Sequence, residues 1–178
     1  MPTAALLIRS SLAHDLPTIT AIYAQAVLTS TATFELEPPD LAEMTRRHAE
    51  VVAKGLPYLC AVRDDQVFGY AYATPFRPRP GYRFTLENSI YVQANARGQG
   101  LGQLLMAELL ARCTALGARQ MLAVIGDGSN TASIALHTAL GFEPVGTLKS
   151  SGRKFGHWLD VALMQRALGS GSRTGVPE

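Results

Sequence analysis

The sequence predicts an α/β protein of one domain, a mixed sheet with helices on both faces. Three observations predict it. Apolar spacing switches repeatedly between the period of a strand and that of a helix. The order of the segments so marked is βααβββαβαββ, with strands and single helices alternating in the second half. The 178 residues are 47% hydrophobic and 17% charged, enough for one core and too apolar for a disordered chain.

Leu6 to Arg9 reads as a short strand. His14-Asp15 signals a helix start with Pro17 near its first turn, and Leu16, Ile19, Ile22, Tyr23, Ala26 and Val27 recur at helical spacing. The stretch from Thr29 to Glu37 is a loop carrying Phe34 and Glu35. Pro38, Pro39 and Asp40 open a second helix that runs to about Lys54, with Gly55 as its stop. Tyr58 to Arg63 and Gln66 to Ala73 form a hairpin through Asp64-Asp65. Pro75, Pro78, Pro80 and Gly81 break the chain before a long strand from Tyr82 to Val92. Leu101, Leu104, Leu105, Leu109 and Ala111 mark a helix from Gly100 to Leu116, closed by Gly117. Met121 to Ile125 is wholly apolar, the pattern of a strand covered on both faces. Asn130 caps a helix from Thr131 to Leu140 that ends at Gly141, and Phe142 to Leu148 and His157 to Met164 are the last strands. The domain spans residues 1–168, and the linker-like tail from Gly169, GSGSRTGVPE, is expected to be disordered.

Charge and cysteine usage narrow the function. The net charge is +2 and the basic residues are scattered, so a nucleic-acid partner is not expected and a small anionic ligand is. No basic leader precedes the apolar run Ala4 to Ile8, which is too short to cross a membrane; a cytoplasmic protein without a membrane partner is expected. Cys60 and Cys113 are not spaced as a metal pair or redox motif, so buried thiols and no metal are expected.

The run Arg97-Gly98-Gln99-Gly100-Leu101-Gly102 joins a strand to an amphipathic helix. Glycines let backbone N–H groups approach an anion, and a helix N-terminus adds its positive dipole end. A dinucleotide fingerprint would need glycine where Gln103 stands, and the lysine-containing ending of a P-loop is absent. A pyrophosphate cradle and a plain strand-to-helix turn both satisfy these glycines.

Arg97-x-x-Gly100-x-Gly102 resembles the acetyl-CoA motif of the GNAT superfamily of N-acetyltransferases. Asn130-x-x-Ser133-x-x-Leu136-His137-x-x-x-Gly141-Phe142 resembles the second signature of that superfamily. The chain is similar to its phosphinothricin and methionine sulfoximine branch over about residues 6–168. The similarity runs through Thr33-Phe34-Glu35, Phe76-Arg77, Tyr82-Arg83-x-Thr85-x-Glu87-x-Ser89-x-Tyr91-Val92 and Gly152-x-Lys154-Phe155-Gly156-x-Trp158-x-Asp160.

The resemblance implies a mostly antiparallel sheet splayed near its middle, with acetyl-CoA as co-substrate and a small amino-acid-like acceptor. It gives the pyrophosphate to Arg97, Gly98, Gln99, Gly100, Leu101 and Gly102, the pantetheine arm and acetyl carbonyl to the backbone of Ile90, Tyr91 and Val92, and further cofactor contacts to Asn130 and Ser133. Glu87 would take the ammonium proton, directly or through water, which calls for burial or an ordered water, since a carboxylate normally titrates near 4.3. His137 stands where many relatives carry a tyrosine; it would protonate the departing thiolate or order the site by hydrogen bonds. Arg77 and Arg83 suit fork-like pairing with a substrate carboxylate. Phe34, Glu35, Phe76 and Thr85 complete the acceptor pocket. The turn with Lys154, Phe155 and Trp158 closes the site in relatives, often at a dimer contact, so a homodimer is implied. Alternatives are a transferase for another amine (an antibiotic, a polyamine or a protein N-terminus) and a noncatalytic acyl-CoA-binding domain.

Overall fold

The computed structural model describes residues 6–175; residues 1–5, where the domain and the run from Ala4 begin, and the last three residues of the tail lie outside the described residues. The strands are β1 (Leu7–Ser10), β2 (Tyr58–Arg63), β3 (Gln66–Pro75), β4 (Thr85–Val92), β5 (Gln120–Gly126), β6 (Glu143–Lys154) and β7 (His157–Ala167). The α-helices are α1 (Leu16–Thr29), α2 (Leu41–Ala53), α3 (Leu101–Ala115) and α4 (Thr131–Ala139). The strands form one sheet in the order β1-β2-β3-β4-β5-β7-β6. Every neighbouring pair is antiparallel except β4 and β5, which α3 joins by a crossover, as a parallel pair requires.

Alternation along the central strands divides the core. Tyr58, Cys60, Val62, Val67 and Tyr70 turn to one face, under Ile19, Ile22, Tyr23 and Val27 of α1 and Met44 and Val51 of α2. Leu59, Ala61, Ala71, Ala73, Leu86 and Met121 turn to the other, under Leu105, Met106, Leu109 and Cys113 of α3. Helices therefore cover both faces, as the segment order predicts. Both cysteines are buried thiols, and burial pushes each up to about 12. Asp64 and Asp65 turn the β2–β3 hairpin with φ of 49° and 57°, the left-handed pair of a tight hairpin turn.

Three expectations are corrected. The strand predicted from Tyr82 starts at Thr85, because Pro80–Tyr82 forms a 3-10 turn in which Tyr82 N–H donates to Arg79 O at 2.9 Å and Arg83 N–H to Pro80 O at 3.0 Å. β5 is covered on one face only at its end: Val124 is 41% exposed, since β4 has left its side by that point. β6 continues past Leu148 to Lys154, its pairing with β7 shifted once between Pro144 and Gly146 and once between Leu148 and Gly152. The described part of the tail folds back in turns, where the Arg119 guanidinium donates to Ser170 Oγ, to Gly171 O at 3.2 Å and to Thr174 Oγ1 at 3.0 Å.

Asp15 joins the first strand to the first helix. Its carboxylate is 1% exposed, accepts from both Arg9 Nη atoms at 2.6 and 2.9 Å and from Leu12 N–H at 2.7 Å. Burial pushes its pKa up, and these bonds outweigh burial and hold it below the ordinary value. Arg9→Ala leaves that carboxylate buried without its cation, and urea denaturation should show a loss of about 3 kcal/mol; a loss below about 1 kcal/mol would show the pair contributes little.

Candidate active site

The site begins where the parallel pairing stops. β4 and β5 are in register from Thr85 opposite Gln120 to Asn88 opposite Ala123 and no further. Beyond that point β4 stays with β3, up to Val92 opposite Gly69, and β5 stays with β7, down to Gly126 opposite Val161. The fork opens into a cavity of about 1300 Å³ lined on its two sides by Ser89 to Val92 and Val124 to Gly126.

At one end of the cavity stands the glycine turn. Gly98 and Gly100 have φ of +74° and +79°, and nothing lies within 4 Å of the position a Cβ would take on either. The turn leads into the 15-residue α3, whose first N–H groups have no intrahelical acceptor. Open backbone, a helix N-terminus and the exposed Arg97 guanidinium fit a pyrophosphate. Gly102 serves α4 instead: a Cβ there would come within 3.3 Å of Leu136 Cδ2. Gln99 is not in the cavity lining and braces the turn, donating to Asn95 O at 3.1 Å. Asn130 caps α4, its Oδ1 accepting from Ser133 N–H at 3.1 Å, and both residues line the cavity.

Alternation along β4 sends Glu87, Ser89 and Tyr91 to one face of the sheet and Asn88 to the other, the face of Leu86 and α3. Burial pushes the Glu87 carboxyl above its ordinary range, and the nearby Arg77 charge partly opposes this. His137, on α4, is 2% exposed, with Nδ1 2.8 Å from Ser133 O and Nε2 3.0 Å from Asn88 Oδ1. Burial holds the pKa of its imidazole below the ordinary value, and the Ser133 carbonyl opposes this only in part. Glu87 and His137 thus line one cavity from opposite faces of the same strand.

The segment 30–37 straps over this cavity. Phe34 lies against Gly126 and Gly152, where a Cβ on Gly126 would be 3.3 Å from the ring and one on Gly152 would collide with it. Thr31 Oγ1 donates to Asp127 Oδ2 at 2.7 Å, and Lys154 Nζ to Thr33 O at 2.8 Å. Lys154 is 3% exposed; burial lowers its pKa, and the Glu35 charge opposes that. Glu35 is occupied: it accepts from Tyr23 Oη at 2.9 Å and from Arg47 Nη1 at 2.6 Å, and it is outside the cavity lining. Its carboxylate ties the strap to α1 and α2.

Among the remaining expected acceptor residues, Arg77 lies over the Phe76 ring at 4.4 Å, and Phe76 packs edge-on to Tyr82; none of these lines the cavity. Arg83 lies over Phe84 at 4.5 Å beside a separate recess of about 390 Å³ formed with Leu56, Leu86 and Leu116. Thr85 is the first residue of the parallel register, opposite Gln120. The structure therefore brings together Phe34, Glu87, Ile90, Tyr91, Val92, Arg97, Gly98, Gly100, Leu101, Gly102, Asn130, Ser133 and His137, and leaves Glu35, Phe76, Arg77, Arg83, Thr85 and Gln99 outside the lining. Asn88, Arg47, Thr31 and Asp127 hold the site and were not anticipated.

Comparison with known proteins agrees with this geometry. Residues 21–142 match the family model described as the acetyltransferase (GNAT) family. The phosphinothricin N-acetyltransferase of Alcaligenes faecalis is 56% identical over 164 residues, 92% of this chain and 83% of that one. The L-methionine sulfoximine/L-methionine sulfone acetyltransferase of Pseudomonas paraeruginosa is 43% identical over 159 residues, 89% of this chain and 92% of that one. A phosphinothricin acetyltransferase from Sinorhizobium meliloti, solved in complex with AcCoA, superposes with a TM-score of 0.94 at 50% identity, over 97% of this chain and 94% of that one. The fold and the fork are those of an acetyl-CoA-dependent N-acetyltransferase. The chain belongs to the GNAT acetyltransferase family.

Gly152→Ala tests the strap, because the new methyl group displaces the Phe34 ring. The Michaelis constant for the acceptor should rise by about tenfold, a packing-scale effect, with acetyl-CoA affinity changed little. An unchanged acceptor constant in steady-state assays would show that Phe34 does not shape the pocket.

Proposed function

We propose that the chain acetylates the α-amino group of a small amino-acid-like acceptor of the methionine sulfoximine or phosphinothricin type, by direct attack on acetyl-CoA. The observation that carries this reading is the fork, with Glu87 and His137 reaching one cavity from opposite faces of β4. The names of the two curated relatives above supply the acceptor class.

In this reading the turn from Arg97 to Gly102 holds the pyrophosphate, and Ile90 to Val92 present backbone groups to the pantetheine arm and the acetyl carbonyl. The acceptor arrives on the Glu87 face, beneath Phe34. Glu87 takes a proton from the ammonium, and the freed nitrogen lone pair attacks the thioester carbon. The C–N bond forms, the C–S bond breaks, and the departing sulfur takes a proton from His137. A raised Glu87 pKa serves this step, because a carboxyl titrating nearer neutrality is a stronger base toward an ammonium. We assign the acceptor carboxylate to Arg77, whose charge acts on Glu87 although its side chain lies outside the cavity lining.

The reading includes a cytoplasmic homodimer. Val145, Leu148, Phe155 and Trp158 are 49 to 67% exposed along the β6–β7 hairpin, an apolar surface that a second copy would cover. Among the described residues no helix is long and apolar enough to cross a membrane.

A panel of free amino acids and other amines assayed with acetyl-CoA by thiol release tests the function. Methionine sulfoximine and phosphinothricin should turn over fastest, and absence of turnover on every amine despite acetyl-CoA binding would overturn it. Glu87→Gln should lower kcat by about 100-fold or more while leaving the acetyl-CoA dissociation constant within about twofold. An unchanged kcat would remove Glu87 from the role of base.

A further inference from the structure

We propose that Asn88 is a positioning residue that, together with the Ser133 carbonyl, favours the doubly protonated form of His137, whose Nε2–H is the proton delivered to the departing sulfur. The inference rests on the reading of His137 as that donor. It deepens it by naming what keeps the ring in a form able to donate.

Two acceptors set the protonation of the ring. Asn88 is 7% exposed and is the last residue of β4 in register with β5. Its Nδ2 donates to Leu122 O at 2.8 Å, which fixes the amide: turned over, it would set Oδ1 against the Leu122 carbonyl, two acceptors face to face. Oδ1 is therefore the atom 3.0 Å from His137 Nε2, and that nitrogen must carry a proton. The other ring nitrogen, Nδ1, lies 2.8 Å from Ser133 O, which is also an acceptor. A neutral imidazole has one N–H and satisfies one of the two oxygens; the imidazolium satisfies both. The apolar surround opposes the cation, with the Phe142 ring edge-on at 4.9 Å, and it outweighs the acceptors, so the imidazolium is the minor form at neutral pH and the two oxygens set how much of it is present. The other groups facing the ring are Ser133 O and Ser133 Oγ, the latter 3.5 Å from Nδ1, on α4 and Asn88 on β4, all uncharged; Glu87 projects to the opposite face of β4.

The chemistry agrees with this form. A neutral ring that gave up its Nε2 proton would become an imidazolate, which is far too basic to form here. An imidazolium that gives up the same proton becomes the neutral Nδ1–H ring, and Ser133 O is in place to accept from it. The Nε2–H bond breaks, the S–H bond forms, and the ring regains its proton from solvent before the next turnover. Without Asn88 the favoured ring is the Nδ1–H tautomer, whose Nε2 has nothing to give.

Side-chain nitrogen NMR of His137 across a pH titration tests this, with its signals assigned by comparison with His137→Ala. In the unsubstituted protein both nitrogens should be protonated at the acid end. Asn88→Leu, which keeps the volume and removes the acceptor, should lower the titration midpoint by about one pH unit and leave the Nδ1–H tautomer above it. It should also cut kcat about tenfold at neutral pH with the acetyl-CoA dissociation constant little changed, in proportion to the lost imidazolium. Asn88→Asp keeps an oxygen toward Nε2 and adds charge, so it should move the midpoint up, opposite to Asn88→Leu; loosened packing, which hydrates a ring that burial holds low, would raise the midpoint in both, and that result overturns the proposal. A midpoint unmoved by both substitutions overturns the proposal and leaves the acetyltransferase reading intact. A midpoint that moves while kcat does not overturns the reading of His137 as donor, and this role for Asn88 with it.

Discussion

Parallel pairing between β4 and β5 lasts four residues on each strand, and its ending creates the active site. Two strands that part inside a sheet leave backbone N–H and C=O groups along both inner edges, and buried backbone groups need partners. Here those edges, Ser89 to Val92 and Val124 to Gly126, face one cavity. A ligand carrying amides of its own, as a pantetheine arm does, supplies such partners. The same divergence leaves the end of β5 uncovered, so that Val124 is exposed although it sits in a wholly apolar run. It also allows residues of adjacent number on β4, Glu87 and Asn88, to serve the cavity from opposite faces of the strand.

The second requirement is closure, and the chain meets it with long-range bonds. The strap at 30–37 has no regular structure of its own to hold it. It is held by Asp127 at the end of β5, by Lys154 at the end of β6, by Arg47 on α2, and by Phe34 lodged against two glycines. At Gly152 only a hydrogen fits beneath the ring. A buried ammonium at Lys154, bonded to one backbone carbonyl, is a costly way to tie a loop. Its placement fixes the backbone of Thr33 beside the cavity.

Most of the fold was legible because the sheet and helices carry strong periodic patterns and sharp stops. Asp64-Asp65, Gly117 and Asn130 act where local chemistry places them: a hairpin turn, a residue after a helix, a cap. Local signals misled at Tyr82 to Phe84, whose strand-like composition yields to the turn that Pro80 and Gly81 begin. At the site, the glycine turn and the second signature are contiguous motifs, so Arg97 to Gly102 and Asn130 to His137 were readable. Asn88 was not, since a polar residue on a strand gives no sign of which face it meets or that Leu122 and His137 await it. Glu35 and Lys154 were assigned by resemblance, yet what each bonds depends on partners 12 and 121 residues away. Such pairings exist only once the chain is folded.

The proposed chemistry depends on Glu87 working as a base whose pKa burial has raised, while the Arg77 charge partly restrains it. The most direct test is the pH dependence of kcat/KM for the acceptor, in the unsubstituted chain and in Glu87→Gln. A base must be ionised to accept a proton, so kcat/KM should fall as pH drops through the raised Glu87 pKa, with that inflection above the ordinary carboxylate value of about 4.3, and at higher pH it should fall separately as His137 loses the proton it delivers. In Glu87→Gln that acid-side inflection should vanish. Profiles of the same shape in both proteins would contradict the central claim.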